Sequence, residues 1–279
     1  MRVEKWHGAG NDFVVVDGQG TRAPADWAAW TRAACDRRRG VGADGLLVLE
    51  PDPDLDFRMH YRNADGGVAE MCGNGGRVLA AFAVERGRGR EGRVRFRSAW
   101  GTHAAQVERR GPGLYRVALS LPDVRAAAAL VVPTPWGPAR AALVNCGVPH
   151  LVLPVGEGPA PDLEAVDVDG WGRVLRRLPE LGPAGANVDF VARGAEGALR
   201  LRTYERGVEG ETLACGTGAT ATAVAASHLG WGQPPWRVRA RSGDVLEVAF
   251  LPAGELCTGV ELRGPAARVF ATDFEPPRD

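Results

Sequence analysis

The sequence predicts a duplicated α/β domain, and three observations carry that prediction. The pattern Cys-Gly-x-Gly occurs twice, at Cys72-Gly73-Asn74-Gly75 and at Cys215-Gly216-Thr217-Gly218, 143 positions apart in a chain of 279 residues. Each copy opens a run of small apolar residues. Upstream, Phe57 to Asn63 reads like Leu199 to Glu205. Further upstream, Asn11-Asp12-Phe13-Val14 reads like Asn187-Val188-Asp189-Phe190-Val191. The shared unit is an asparagine before a strand, a second strand, a polar loop, and Cys-Gly-x-Gly at a helix start.

In chain order, alternating apolar and polar runs predict strands at 13–16, 46–49, 57–61, 94–97 and 114–119, with a strand also at the N-terminus around Lys5. The second half repeats this at 141–144, 151–153, 190–191, 199–204, 236–240 and 245–250. Gly- and Pro-rich turns separate them. Apolar residues at helical spacing predict helices over 25–38 and 163–178. Two more helices, over 75–86 and 218–229, are Ala-rich and apolar on most faces, so they belong at the centre of each half. Gly87 and Gly230 stand where their C-terminal caps belong. The stretch 154–167 reads as a surface loop. The divide between halves is expected near Ser120 to Asp123, where an Ala/Pro-rich stretch begins.

The composition bounds the function. Apolar residues make up 45% and charged residues 24%, ordinary for a globular protein. The 34 basic and 34 acidic residues cancel, which argues against a broad nucleic-acid or membrane surface. The single lysine, Lys5, is the sole candidate for a pyridoxal-phosphate Schiff base, and its place on an N-terminal strand makes that chemistry improbable. Cys35, Cys72, Cys146, Cys215 and Cys257 are odd in number and widely spaced, neither a disulfide framework nor a zinc pattern. The N-terminus lacks a signal-peptide core and no apolar run approaches the roughly 20 residues of a membrane span. A cytoplasmic protein is expected, with no metal and no organic cofactor.

The chemistry gathers at two of the cysteines. A thiol becomes reactive as a thiolate, and a helix start lowers its pKa through unpaired N–H groups and the helix dipole. Flanking glycines let backbone approach a ligand closely. The same N–H groups can bind a carboxylate. Removing an α-proton from an amino acid pushes negative charge into that carboxylate. One thiol takes the proton from one face of the carbon and a second delivers a proton to the other. The competing reading is two buried cysteines at tight turns; the duplication, the glycines and the helix position outweigh it. Arg206, after Glu205, could hold a carboxylate or be a solvated surface pair. His150 is either structural or functional on pattern alone. Gly40 to Gly45 fits GxGxxG, but it follows a helix and precedes a strand, the reverse of a dinucleotide site. Cys35, Cys146 and Cys257 read as core residues.

These residues resemble the diaminopimelate epimerase family. The resemblance spans nearly the whole chain: His7 to Phe13, Gly40 to Gly45, Asn63 to Gly66, Met71 to Gly75, Pro149-His150, Ala186-Asn187, Glu205 to Gly207 and Glu211 to Ala219. It implies conversion of LL- to meso-diaminopimelate without a cofactor, on the route to lysine and peptidoglycan. It implies an α/β (α+β) fold of two pseudo-symmetric domains, each a curved, mostly antiparallel sheet or barrel around a central helix. The domains are then 1–120, rejoined by 266–279, and 121–265, with the site in the cleft between them. By the same resemblance Cys72 and Cys215 are the acid/base pair. Backbone of Gly73, Asn74, Gly216 and Thr217 holds the reacting carboxylate. Asn11, Asn63, Asn187 and Arg206 fix the distal end, and Glu205 and His150 orient the amine and support proton transfer. Family members are often homodimers, so a homodimer is the expected partner beside the small-molecule substrate.

Three departures bear on substrate geometry. Val148 stands where many members have asparagine, Gly45 where some have glutamine, and Glu209 lengthens the loop after Gly207. Proline racemase-like enzymes typically carry histidine at the position of Asn74, and phenazine-pathway isomerases lack the cysteine pair. A sister racemase for another amino acid and a thiol redox sensor are the remaining alternatives.

Overall fold

The structure is a computed structural model and describes residues 1–68, 71–90 and 92–276. Its elements in chain order begin with β1 (Arg2–Gly8), β2 (Asn11–Asp17), α1 (Trp27–Cys35), β3 (Gly45–Glu50), β4 (Phe57–Asn63) and α2 (Gly73–Glu85). Then come β5 (Arg93–Ser98), β6 (Gly101–Gly111), β7 (Leu114–Ser120), β8 (Val124–Arg125), β9 (Ala128–Val132), β10 (Ala139–Asn145) and β11 (Pro149–Pro154). The rest are α3 (Val168–Leu175), β12 (Asn187–Arg193), β13 (Leu199–Glu205), β14 (Gly210–Thr212), α4 (Gly216–His228), β15 (Trp236–Arg239), β16 (Val245–Ala253) and β17 (Leu256–Asp273). Two compact units result: Met1–Leu119 with the described residues from Arg263 on, and Ser120–Leu262.

In the first unit the strands close on themselves. β1 pairs with β2, and each of β2 to β6 pairs with the next strand. The end of β17 joins β7 to β1, both antiparallel. Closure removes the open edges of a sheet. α2 fills the interior, packed against β1 to β6, and every residue from Gly73 to Ala83 is buried. Its small residues let sheet approach from all sides. Trp6, Phe82 and Tyr115 form an aromatic contact between barrel and helix.

The second unit repeats this run of strand pairings. β10–β11 is antiparallel, β11–β12 parallel, β12–β13 antiparallel, β13–β15 parallel and β15–β16 antiparallel. The first unit has the same alternation from β1 to β6. α4 is the counterpart of α2, with Gly216 to Ala226 all buried. The two helices also end alike. Gly87 and Gly230 have φ +71° and +72°, and the next residues, Arg88 and Trp231, donate back to Ala83 and Ala226. These are Schellman caps.

The strand pairing corrects one alignment read from sequence. Phe13 opposes Gly45 in the parallel pair β2–β3, as His150 opposes Asn187 in β11–β12. Leu46 opposes Arg62 as Val188 opposes Tyr204. The counterpart of Asn187 is therefore Gly45, and that of His150 is Phe13; Asn11 and Asn187 are not equivalent. Both open strands that run toward the core, so their local patterns look alike although the strands differ. Two further expectations change. The helix read over 163–178 is a 3-10 turn, Leu163–Ala165, then α3, which starts where Asp167 accepts from Gly170 N. The 154–167 stretch is not wholly a surface loop, because Leu163 and Val166 are buried in the core under α3. β6, β8, β9, β14 and β17 lie outside the strands read from sequence. No helix among the described residues is long and apolar enough to cross a membrane.

Candidate active site

Both cysteines are helix N-caps. Cys72 and Cys215 have extended backbone (φ −115° and −117°), and each Sγ accepts from the N–H three residues on, Gly75 N at 3.4 Å and Gly218 N at 3.3 Å. The helices start two residues earlier than apolar spacing predicts, because a sulfur cap and glycines are weak helix signals in sequence. Gly73, Asn74, Gly216 and Thr217 are thus the first helical residues, whose N–H groups point out of the helix end. The two glycines keep the helices close to the barrel wall. A Cβ on Gly218 would stand 2.7 Å from Asp189 Oδ1, and one on Gly75 3.1 Å from Leu47 Cδ2.

Around Cys72 the polar groups form a chain with fixed orientation. Asp44 Oδ2 accepts from Asn11 Nδ2 at 2.7 Å. Asn11 Oδ1 then accepts from Asn74 Nδ2 at 3.3 Å and from Cys72 Sγ at 3.6 Å. Asn74 Oδ1 accepts from the fully buried Arg77 at 2.8 Å. A carboxylate only accepts and a guanidinium only donates, so the two ends settle which way both amides point. Behind Asp44, Arg37 bridges Asp12 and Asp44, and Lys5 meets Asp12 at 2.7 Å. Burial opposes the Asp12 charge, but hydrogen bonds from Arg37 and Lys5 win and hold its pKa at about 2. Asn63, at the end of β4, is exposed.

Around Cys215 the neighbours are titratable and buried or half-buried. His150 and Asp189 are both fully buried, with His150 Nδ1 2.7 Å from Asp189 Oδ2. Thr203 donates to Asp189 Oδ1 at 2.7 Å. His150 Nε2 lies 3.0 Å from Thr217 Oγ1, which lies 3.4 Å from Cys215 Sγ. Glu205 contacts Cys215 and accepts from Thr212 Oγ1 at 2.5 Å; burial raises its pKa. Burial, then the nearby Glu205 and Asp189 carboxylates, push the Cys215 thiol well above its ordinary pKa. Cys215 therefore rests protonated, against the expectation that the helix start alone would lower it.

Asn187 is buried with both ends of its amide engaged. Oδ1 accepts from Arg206 N at 2.7 Å and Nδ2 faces His150 Nε2 at 3.2 Å. Arg206 occupies the turn after β13 and donates to Ala184 O at 3.5 Å. Glu209 takes φ +59° and clamps this turn, accepting from Gly207 N and Tyr204 and pairing with Arg176. Cys35, Cys146 and Cys257 are buried, and burial pushes Cys35 up to about 12. Asp44, Arg77, Asp189 and Thr203 were absent from the residues picked out by sequence. Asp44 sits in the Gly40–Gly45 block and Asp189 two residues after Asn187, so both lay inside segments already noted.

The model of the diaminopimelate epimerase family matches residues 3–118 and 142–266. The chain belongs to the diaminopimelate epimerase family. It is 40% identical to the diaminopimelate epimerase of Aquifex aeolicus over 280 residues, covering 97% of this chain and 96% of the relative. It is 41% identical to that of Gemmatimonas aurantiaca over 258 residues, covering 90% and 89%. Among solved structures, a probable proline racemase from Agrobacterium radiobacter superposes with TM-score 0.74 at 20% identity, over 98% of this chain and 92% of that one. A Bacillus anthracis phenazine biosynthesis protein gives TM-score 0.70 at 14% identity, over 98% of each. These structures share the α+β fold of the epimerase family.

Proposed function

We propose that the chain epimerises LL-2,6-diaminopimelate to meso-diaminopimelate by two-thiol acid/base chemistry, with no cofactor. The observation that supports it is the repeated Cys N-cap at the start of a buried helix in each unit, in a member of this family. Inversion needs a base on one face of the α-carbon and an acid on the other, and Cys72 and Cys215 supply them. The thiol that receives a proton in one direction donates it in the other. The first N–H groups of α2 and α4, at Gly73-Asn74 and Gly216-Thr217, hold the reacting carboxylate, where charge builds as the proton leaves. Glu205 and His150 orient the amine. Asn11, Asn63 and Arg206 take the distal amino-acid end, and Asn187 contributes by setting the Arg206 turn. We further propose a cytoplasmic homodimer.

Proton NMR of the reduced protein with LL-diaminopimelate in D₂O tests this. Loss of the α-proton signal with appearance of the meso isomer is expected. No exchange, with free thiols confirmed by titration, rejects this substrate and directs the same measurement to other amino acids.

A further inference from the structure

The environments of the two cysteines are not copies of each other. By the strand register, the counterparts of His150, Asp189 and Thr203 are Phe13, Leu47 and Tyr61. The first unit thus fills with Phe13 and Leu47 the places where the second buries a histidine and a carboxylate. Burying that pair costs several kcal/mol unless every polar atom is satisfied. Leucine does the packing work in the other unit, so Asp189 has a task beyond packing.

Resting on the epimerase reading, we infer that Asp189 is a positioning residue: it locks His150 in its Nδ1–H tautomer and gives Cys215 a hydrogen-bonded route for its proton. Two independent contacts fix the tautomer. Asp189 can only accept, so Nδ1 carries the hydrogen. Arg206 N–H takes Asn187 Oδ1, which turns the Asn187 NH₂ toward Nε2, so Nε2 is the acceptor. With its lone pair at Nε2, His150 draws the Thr217 hydroxyl hydrogen and leaves the Thr217 oxygen, beside the Glu205 carboxylate that also contacts the thiol, as an acceptor for Cys215 S–H. When Cys215 ionises, its S–H bond breaks and a new O–H bond forms at Thr217. The former Thr217 hydroxyl hydrogen passes to His150 Nε2. The products are a thiolate and an imidazolium, the latter facing the Asp189 carboxylate; no proton is gained or lost. Asn187 gives up its contact to Nε2 in that state. Beside Cys72 stands instead the amide oxygen of Asn11, turned toward the sulfur by Asp44.

The test combines a spectrum with kinetics. Long-range ¹H–¹⁵N NMR of the imidazoles, with the His150 signal identified by its loss in His150→Gln, is expected to show protonated Nδ1 and acceptor Nε2. Asp189→Asn presents an N–H to Nδ1 and is expected to switch His150 to the Nε2–H form. Its turnover should fall about 10- to 100-fold, the scale of a misplaced acid/base group, with KM little changed. Thr217→Val leaves the carboxylate in place and should lower turnover without changing the tautomer, so it decides the route even if Asp189→Asn fails to fold. An Nε2–H form in the unaltered protein overturns the inference. So does unaltered turnover in either variant. If the unaltered protein exchanges no α-proton of diaminopimelate, the epimerase reading fails instead, and the spectra still decide whether Asp189 sets the tautomer.

Discussion

Asp44 Oδ2 accepts from Asn11 Nδ2 at 2.7 Å, and this contact turns the other end of the Asn11 amide toward Cys72. A carboxylate in the loop before β3 thereby sets what the Cys72 thiol meets. Asp44→Ala removes the shorter of the two contacts that hold this amide and leaves the 3.3 Å contact from Asn74 Nδ2 to keep Oδ1 toward the sulfur. About a tenfold loss in kcat/KM is expected, because small misplacements at a reacting group are costly. Steady-state epimerisation measures it, and an unchanged kcat/KM would show that the Asp44 contact to Asn11 is irrelevant to turnover.

Cys72→Ala and Cys215→Ala are each expected to abolish inversion. Losing a sulfur cap costs about 0.5–1 kcal/mol, too little to unfold a domain of ordinary stability. Serine at either position leaves a weak enzyme at best, because a hydroxyl is a far weaker acid. Circular dichroism beside the D₂O exchange assay separates lost chemistry from lost fold. Normal turnover in either alanine variant ends the two-thiol mechanism.

Glycine at the third helical position has different weight in the two units. Gly218→Ala places a methyl 2.7 Å from Asp189 Oδ1 and 3.1 Å from Thr203 Oγ1, both buried and hydrogen-bonded. Gly75→Ala meets Leu47 Cδ2 at 3.1 Å and Met59 Cε at 3.4 Å, side-chain ends that can shift. Overpacking of about 1–3 kcal/mol is expected for Gly218→Ala. Gly75→Ala should lie nearer neutral, helped by alanine's helix propensity of about 1 kcal/mol over glycine. Urea unfolding of the two variants compares them, and equal losses would contradict this account.

Acid stability follows from Asp12. Its pKa is held at about 2, against an ordinary 3.8, by Arg37 and Lys5 despite burial. A depressed carboxylate stabilises the fold above its unfolded pKa, and that contribution disappears as pH falls from 3.8 through about 2. The linkage is worth about 2 kcal/mol at neutral pH. Asp12→Asn should lose roughly that much near pH 7, and its deficit should shrink as the pH approaches 2. A deficit independent of pH would mean that the Lys5 contact, and not the carboxylate charge, is what matters.

Residues alone revealed the duplication, the two buried helices with their glycine caps, most strands, the cysteine pair and the family. All of these depend on short-range patterns: periodicity, turn chemistry and a motif repeated within one stretch of chain. Which strands are counterparts was not legible, because strand starts in the two halves carry similar asparagine-containing patterns and only hydrogen-bond register separates them. β6, β9 and β17 escaped for a related reason: their pairing partners are distant in sequence or their apolar alternation is diluted by arginine and small residues. The orienting groups were beyond reach as well. Asp44 and Asp189 act through Asn11 and His150, which lie 33 and 39 positions away. A carboxylate becomes a positioning group only when folding buries or aims it at one donor, and that depends on long-range contacts. The asymmetry of the two thiols, an amide beside Cys72 and a His150–Asp189 pair behind Cys215, was therefore decided by tertiary structure.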